Sequence, residues 1–140
     1  MSKEEQVIVS GKRKSAIAKA SIKKGKGIVK INKIPYENYP FLRKLSISEP
    51  IEITKDFFPF EFDINVSVRG GGQESQIRAA RLAIAKAIVK FTKSEKLRRA
   101  FLSYDKNLLV ADVRRKEAYK PGDSKARRRR QKSYRWLEKF

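Results

Sequence analysis

The sequence predicts an α+β fold, with one globular domain over residues 1–113 and an extended basic tail over residues 114–140. Three observations lead to this prediction. Apolar and polar residues alternate strictly over residues 60–69, which is typical of a strand with one buried face. A helical pattern of apolar residues follows over residues 73–93. A length of 140 residues with 40% apolar side chains suits a single hydrophobic core.

The elements that precede the alternating strand are predicted to be short. They are expected as strands at residues 7–10, 15–22 and 27–31, with basic turns at residues 11–14 and 23–26. Residues 32–59 contain four prolines and have mixed polarity. This composition predicts short irregular helices and a brief strand near residues 51–54.

The elements that follow the alternating strand are two helices and a last strand. The glycines Gly70, Gly71 and Gly72 separate the strand from the long helix, whose expected core face is formed by Ile77, Ala80, Ile84, Ile88 and Phe91. Ser94 is predicted to cap a second helix that ends near Tyr104, because its hydroxyl can accept a hydrogen bond from the first helical turn. The apolar run at residues 107–113 is predicted to be a strand.

The three glycines allow two interpretations. Backbone amides at a helix N-terminus favour a phosphate group. The segment lacks the Gly-Lys-Ser/Thr ending of a nucleoside-triphosphate loop and the spaced glycines of a dinucleotide site. A tight structural turn and a contact with a nucleic-acid phosphate remain, and both can hold together.

The charge of the chain predicts a polyanionic partner. There are 35 Lys and Arg residues against 15 Asp and Glu, which gives a net charge of +20 and a pI near 10.4. Residues 114–135 carry +9 of this charge, so the rest of the chain must also present basic surface. Each cation that neutralises a phosphate releases counterions, which is the main source of affinity for nucleic acid. A tail with so little to bury is expected to order only on such a partner.

Several classes of protein are disfavoured by composition. The chain contains no Cys and no His, which removes disulfides, cysteine-ligated metals and the commonest general base. The carboxylates Asp56, Glu61, Asp63, Asp105 and Asp112 show no spacing that selects a catalytic pair, so most are expected to be solvated or paired with cations. No cofactor, no metal and no enzymatic activity are expected. No apolar stretch approaches membrane-spanning length, which predicts a cytoplasmic protein with no membrane partner.

Four blocks of sequence resemble a known family. They are GKRKSAIAKASI with KGKGIVKIN, then VRGGGQESQIRAARLAIAKAIV, then YDKNLLVADVRRKEAYKPG, and finally ARRRRQKSYR. Together they resemble the universal small-subunit ribosomal protein nine, in the form found in archaea and the eukaryotic cytosol. The resemblance covers residues 6–135, with the blocks in the order and at the spacing of the family.

The resemblance implies a fold, a role and partners. The implied fold is that of the second domain of ribosomal protein five, with a left-handed βαβ crossover that general rules of chain topology disfavour. The implied role is that of a structural constituent of the head of the small ribosomal subunit. The implied partners are small-subunit rRNA, the anticodon stem-loop of P-site tRNA and neighbouring head proteins.

The resemblance also implies site residues, motif by motif. RNA contacts are implied in the first turn, at the glycine-rich helix entry and at the start of the tail, for Lys12, Arg13, Lys14, Gly70, Gly71, Gly72, Gln76, Arg81, Arg114 and Arg115. The basic face of the long helix and the tail add the cations Arg78, Lys116, Lys120, Lys125, Arg127, Arg128, Arg129 and Arg130. The tip that approaches the tRNA in the family corresponds to Lys132, Ser133, Tyr134 and Arg135. This chain continues past that tip as WLEKF, whereas members of this branch usually end there.

Alternatives remain at this point. The three cations at residues 12–14 are expected to lie outside the core, where they either contact RNA or form a solvated turn. The whole protein could instead be a free-standing architectural or chaperone-like nucleic-acid binder, since a basic surface serves any polyanion. An enzyme acting on nucleic acid would need a catalytic constellation, and the spacing of the carboxylates provides none.

Overall fold

A computed structural model describes residues 5–114 and residue 118. The predicted tail positions Arg115, Lys116, Lys120 and everything from residue 121 onward lie outside the described residues. The boundary between a domain and a tail near residue 113 therefore stays a prediction.

The described residues form one mixed sheet and three α-helices, which confirms the α+β class. The strands are β1 (Val7–Arg13), β2 (Ala16–Lys24), β3 (Val29–Ile31), β4 (Ile34–Pro35) and β5 (Phe62–Arg69). The helices are α1 (Phe41–Lys55), α2 (Gln73–Thr92) and α3 (Glu95–Tyr104), with 3₁₀ turns at Tyr36–Asn38 and Lys106–Leu108. Within the sheet the strand order is β1-β2-β5-β3-β4.

The sheet contains one parallel pair. β3 and β5 are parallel neighbours, while the other neighbouring strands run antiparallel. A parallel pair needs a crossover connection, and here it includes α1. The left-handedness of this crossover and the likeness to ribosomal protein five stay predictions.

Small side chains let α2 lie very close to the sheet. Buried alanines of β2 (Ala16, Ala18 and Ala20) face buried alanines of α2 (Ala79, Ala80, Ala83 and Ala87). Gly11 of β1 lies under the same helix, and a Cβ added there would be 2.7 Å from the carbonyl oxygen of Ala79. The predicted core face of α2 is confirmed, because Ile77, Ala80, Ile84 and Ile88 are buried and Phe91 packs against the core.

The expected strand near residues 51–54 is wrong, because these residues belong to α1. Ile47, Ile51 and Thr54 share one buried face at helical spacing, although Pro50 lies between them. The hydroxyl of Thr54 donates to the carbonyl oxygen of Pro50, at 2.7 Å, and is thereby satisfied inside the core. Packing of this face outweighs the low helix propensity of proline.

The strand expected at residues 107–113 is also wrong. Asp105 instead caps a 3₁₀ turn, since its Oδ1 accepts a hydrogen bond from the backbone N–H of Asn107 at 2.9 Å. Leu108 is fully buried, whereas Val110 and Val113 are exposed. The apolar run therefore anchors the chain through the buried Leu108 and the partly buried Leu109, and it pairs with neither edge of the sheet.

One carboxylate organises the loop between β2 and β3. Oδ1 of Asp63 accepts hydrogen bonds from the backbone N–H groups of Lys26, Gly27 and Ile28, at 2.9, 3.2 and 3.2 Å. These bonds, led by that of Ile28, hold the pKa of the Asp63 carboxyl below its usual value. Gly25 is required beside it, because a Cβ there would lie 2.1 Å from Oδ2.

Asp63→Asn is expected to lower the melting temperature at neutral pH. A carboxyl whose pKa is lowered in the folded state stabilises the fold above its unfolded pKa, and loses that effect as the pH falls through the folded pKa. The difference in melting temperature between the variant and the wild type should therefore become smaller below about pH 3.9, the ordinary pKa of aspartate. Melting curves from pH 7 to pH 2 measure this difference, with Glu61→Gln as the exposed control. A constant difference at every pH would contradict the assignment.

Candidate nucleic-acid interface

A polar cleft of about 560 Å³ lies where the end of β1, the start of α2 and residues 104–114 meet. Five of the expected RNA-binding cations line it, namely Lys12, Arg13, Arg78, Arg81 and Arg114. Three carboxylates also line it, namely Glu49, Asp105 and Asp112. The fold thus brings together cations that are far apart in sequence. Five positive and three negative side chains line the cleft, so its net charge is positive.

The side chains of residues 12–14 were expected to lie outside the core, and for Arg13 this expectation is wrong. The hairpin turns over residues 14 and 15 only, so Arg13 remains the last residue of β1 and points to the core side, like Gly11. It is 9% exposed, and its Nη1 lies 3.2 Å from Oδ2 of Asp112. The expectation holds for Lys12 and Lys14, which are exposed.

Asp112 joins the end of β1 to the residues from which the tail continues. Its Oδ2 lies 2.7 Å from Nη2 of Arg114, and its Oδ1 accepts a hydrogen bond from the Arg114 backbone N–H at 2.9 Å. These bonds, with the charge of Arg13, hold the pKa of the Asp112 carboxyl far below its usual range. The same pairing raises the pKa of Arg114. Asp112 therefore stays ionised and links two of the expected RNA-binding segments.

Arg81 ties three segments together inside the cleft. Its guanidinium pairs with Glu49 of α1, and its Nη1 lies 3.5 Å from Oδ2 of Asp105. The side chain is 18% exposed, so its charge is largely committed to these two carboxylates. Arg78, one turn earlier on α2, is exposed at the rim. A polyanion entering the cleft would therefore meet Arg78 and Lys12 before Arg81.

Arg81→Gln is expected to destabilise the protein, whereas Arg78→Gln is not. Removing the Arg81 guanidinium leaves the half-buried carboxylates of Glu49 and Asp105 close together without their cation, at a cost of about 1–2 kcal/mol after allowance for solvent screening. Urea unfolding of the full-length variants measures the difference. Equal stability of the two variants would show that the Arg81 pairs contribute nothing.

The glycine segment is a structural turn. Gly70 and Gly71 have positive φ values of 77° and 66°, which glycine adopts without strain. A Cβ at Gly70 would lie 2.6 Å from the carbonyl oxygen of Ser15. Nε2 of Gln76 donates to the carbonyl oxygen of Gly70 at 3.1 Å and closes the turn. The turn thus rests against the β1–β2 hairpin, while its contact with a phosphate stays a prediction.

One set of side-chain contacts near the glycine turn was not predicted from the sequence. Arg43 of α1 reaches the first turn of α2, where it pairs with Glu74 at 3.2 Å and donates to Oε1 of Gln73 at 2.6 Å. The expectation that most of the five carboxylates are solvated or paired with cations is confirmed, since Asp105 and Asp112 pair with arginines and Asp56 and Glu61 are exposed. The capping role of Ser94 is confirmed as well, since its Oγ accepts from the backbone N–H of Leu97 at 3.4 Å.

The described part of the chain provides neither a metal site nor a membrane-spanning helix. Over residues 5–114, no group of three or more acidic side chains is arranged to hold a metal ion. No helix described there has both the length and the apolar composition needed to cross a membrane.

Comparison with known proteins gives a consistent result. A family model described as Ribosomal protein S9/S16 matches residues 11–135. A protein of Thermoplasma acidophilum named small ribosomal subunit protein uS9 is 48% identical over 130 residues, which are 92% of this chain and 100% of that protein. Proteins of the same name from Thermoplasma volcanium and Methanococcus vannielii are each 46% identical, over 94% and 89% of this chain and 99% and 95% of their own lengths.

Proposed function

The chain belongs to the Ribosomal protein S9/S16 family, and from that premise we propose that it binds small-subunit rRNA within the head of the ribosomal subunit. Membership confirms the resemblance found in the sequence motifs. It also supports a structural role in the small subunit and confirms the expectation that the protein is not an enzyme. Its proposed location is the cytoplasmic ribosome.

The observation that best supports rRNA binding is the gathering of cations around one cleft. Lys12 and Arg78 are exposed there, Lys14 is exposed in the adjoining hairpin turn, and the side chain of Arg114 is 78% exposed although it touches Asp112. Lysine and arginine side chains at such positions neutralise phosphates and fix the orientation of the protein on RNA. The strand β1 carries Lys12 and the helix α2 carries Arg78, which keeps the spacing of these two charges constant.

The tail extends the same proposal. We propose that residues 114–140 continue along rRNA from the cleft, because their sequence has a net charge of +9 up to residue 135 and few apolar side chains. By the resemblance, Lys132, Ser133, Tyr134 and Arg135 approach the anticodon stem-loop of P-site tRNA. Neighbouring head proteins are the remaining proposed partners.

Co-sedimentation with small subunits separates this proposal from a free-standing nucleic-acid binder. An integral component stays with the subunit through a wash at high salt, since its contacts are buried in the assembly and weakly screened. A loose binder held by exposed charge pairs is removed. Recovery of the protein only in the wash would refute the structural role.

Two deletions test the tip of the tail. Removing residues 132–140 is expected to weaken P-site tRNA binding while leaving assembly nearly intact, because the upstream cations carry most of the charge. Removing residues 136–140 alone should spare tRNA affinity. Trp136 and Phe140 are more stable packed on protein or rRNA than exposed to water, so they are expected to turn away from the tRNA. Filter binding of tRNA to programmed subunits measures both. If both deletions reduced tRNA affinity equally, the aromatic residues would instead be the ones that contact the tRNA.

A further inference from the structure

We propose that the face of the sheet opposite α2 is a second RNA-binding surface, which contacts the sugar–phosphate backbone of an rRNA duplex. This open face is defined by ten outward side chains of β1, β2, β3 and β5, namely Ile8, Ser10, Lys12, Ile17, Lys19, Ser21, Lys30, Asn65, Ser67 and Arg69. Lys23 and Asp63 also point outward and lie opposite each other at its edge. The inference rests on the proposed binding of rRNA. It adds a surface of which only Lys12 belongs to the site already described.

The open face is exposed because all described helix packing lies on the other side. Along β5, Ile64, Val66 and Val68 are buried under α2, while Asn65, Ser67 and Arg69 between them are exposed. β2 alternates in the same way. A sheet with one solvated face normally carries polar residues there, so exposure alone is ordinary.

The charge of the open face is what points to a polyanion. The strand register places Lys12, Ile17 and Arg69 in one row across the sheet and Ser10, Lys19 and Ser67 in the next. Lys30 lies opposite Asn65 in a third row. These side chains put four cations on three adjacent rows.

The only carboxylate that points outward from the five described strands is that of Asp63, at the edge of this face. Its Oδ1 is already bonded to three backbone amides of the β2–β3 loop. The same carboxylate also lies opposite Lys23 of β2, whose charge adds to these backbone hydrogen bonds in lowering the pKa of Asp63. The four cations therefore have no outward carboxylate of their own on these strands, and a phosphate backbone can supply the negative charge.

The shape and chemistry of the open face favour a duplex backbone over other partners. A shallow concavity of about 960 Å³ lies on it, and no aromatic residue is found among the described residues that line the concavity. Recognition of unpaired bases depends on aromatic stacking, whereas duplex RNA is bound through phosphates and 2′-hydroxyls. Ser21, Ser67 and Asn65 provide the hydrogen-bonding groups that such contacts use.

An apolar protein partner fits the open face less well. Ile8 is 65% exposed and Ile17 is 43% exposed, but they lie on different strands with Ser10, Lys12 and Lys19 around them. Single exposed apolar side chains are normal on protein surfaces and do not form a docking patch.

A matched pair of triple variants tests the inference. The full chain carries either Lys19→Gln, Lys30→Gln and Arg69→Gln on the open face, or Lys44→Gln, Lys96→Gln and Arg98→Gln on exposed positions of α1 and α3. Affinity for a 20-base-pair RNA duplex is measured over a range of salt concentrations. The open-face variant is expected to lose about 2–3 units of the log–log salt slope, since each phosphate contact contributes about 0.9, and the control less than half of that.

The outcomes separate this inference from the function on which it rests. Wild-type protein that fails to bind RNA would refute both. Wild-type binding with equal slopes for the two variants would overturn the open face alone, as expected if that face docks on another protein. A second measurement needs no variant: duplex RNA should protect Lys19 and Lys30 from an amine-reactive label while Lys44 and Lys96 stay reactive. Unprotected Lys19 and Lys30 would also overturn the inference.

Discussion

Gly11→Ala is expected to lower the melting temperature of the full chain by about 10 °C, which corresponds to about 1–3 kcal/mol of overpacking. The added Cβ would lie 2.7 Å from the carbonyl oxygen of Ala79 and 2.8 Å from the backbone nitrogen of Ala83. These are backbone atoms of α2, so no side-chain rotation can relieve the contact. The helix must move away from β1, and the alanine contacts along the same interface weaken with it.

Gly72→Ala provides the matched control for this substitution. Gly72 precedes α2 at a φ of −86°, and a Cβ there would have no other heavy atom within 4 Å. Loss of a glycine N-cap should cost less than about 1 kcal/mol. Thermal unfolding monitored by circular dichroism compares the two variants. Equal melting temperatures would mean that α2 does not approach β1 as closely as described.

The second large effect concerns the β1–β2 hairpin, where the exposed lysines are expected to contribute to RNA binding and the buried Arg13 to stability. Replacing both exposed lysines, Lys12→Gln and Lys14→Asn, should reduce the salt slope of RNA binding by about 2 units without changing the melting temperature. Asparagine is chosen for position 14 because the lysine there has a φ of 52°, which asparagine tolerates.

Arg13→Gln should show the opposite pattern. The substitution removes the cation 3.2 Å from Asp112, so the melting temperature should fall, while the salt slope changes by less than 1 unit because that charge is already paired. Binding titrations at several salt concentrations, with melting curves of the same samples, measure both quantities. An Arg13 variant that loses slope but not stability would show that this arginine contacts RNA directly.

The elements predicted correctly are those whose pattern is complete within a short window. The alternation at β5 and the apolar face of α2 each specify one type of structure, and both were confirmed. Short irregular helices were expected where α1 forms, and its 15-residue length could not be predicted, because Pro50 and mixed polarity hide a face that is buried only once α2 is present. Residues 107–113 were misassigned since an apolar run does not reveal that only Leu108 and Leu109 pack against the core, while Val110 and Val113 are exposed.

The candidate site was predicted in composition but not in geometry. Charge and motifs indicated Lys12, Arg13 and Arg81, yet their different environments depend on partners that are distant in sequence. Arg81 is 32 residues from Glu49 and 24 from Asp105, and the chain carries no local signal of either pair. The open face was missed although its alternation was visible in β5, because a strand pattern does not tell which side a helix covers.

The contacts of Asp112 have a consequence for avidity. They hold Arg114 beside the end of β1, so the tail starts at the same place as the hairpin cations. On the proposed binding, once the hairpin is bound to RNA, binding of the tail becomes intramolecular, at an effective concentration of about the millimolar range for a short tether. The protein then leaves the RNA only when the hairpin and the tail are released at the same time. Asp112 makes this possible because it holds the start of the tail beside the hairpin.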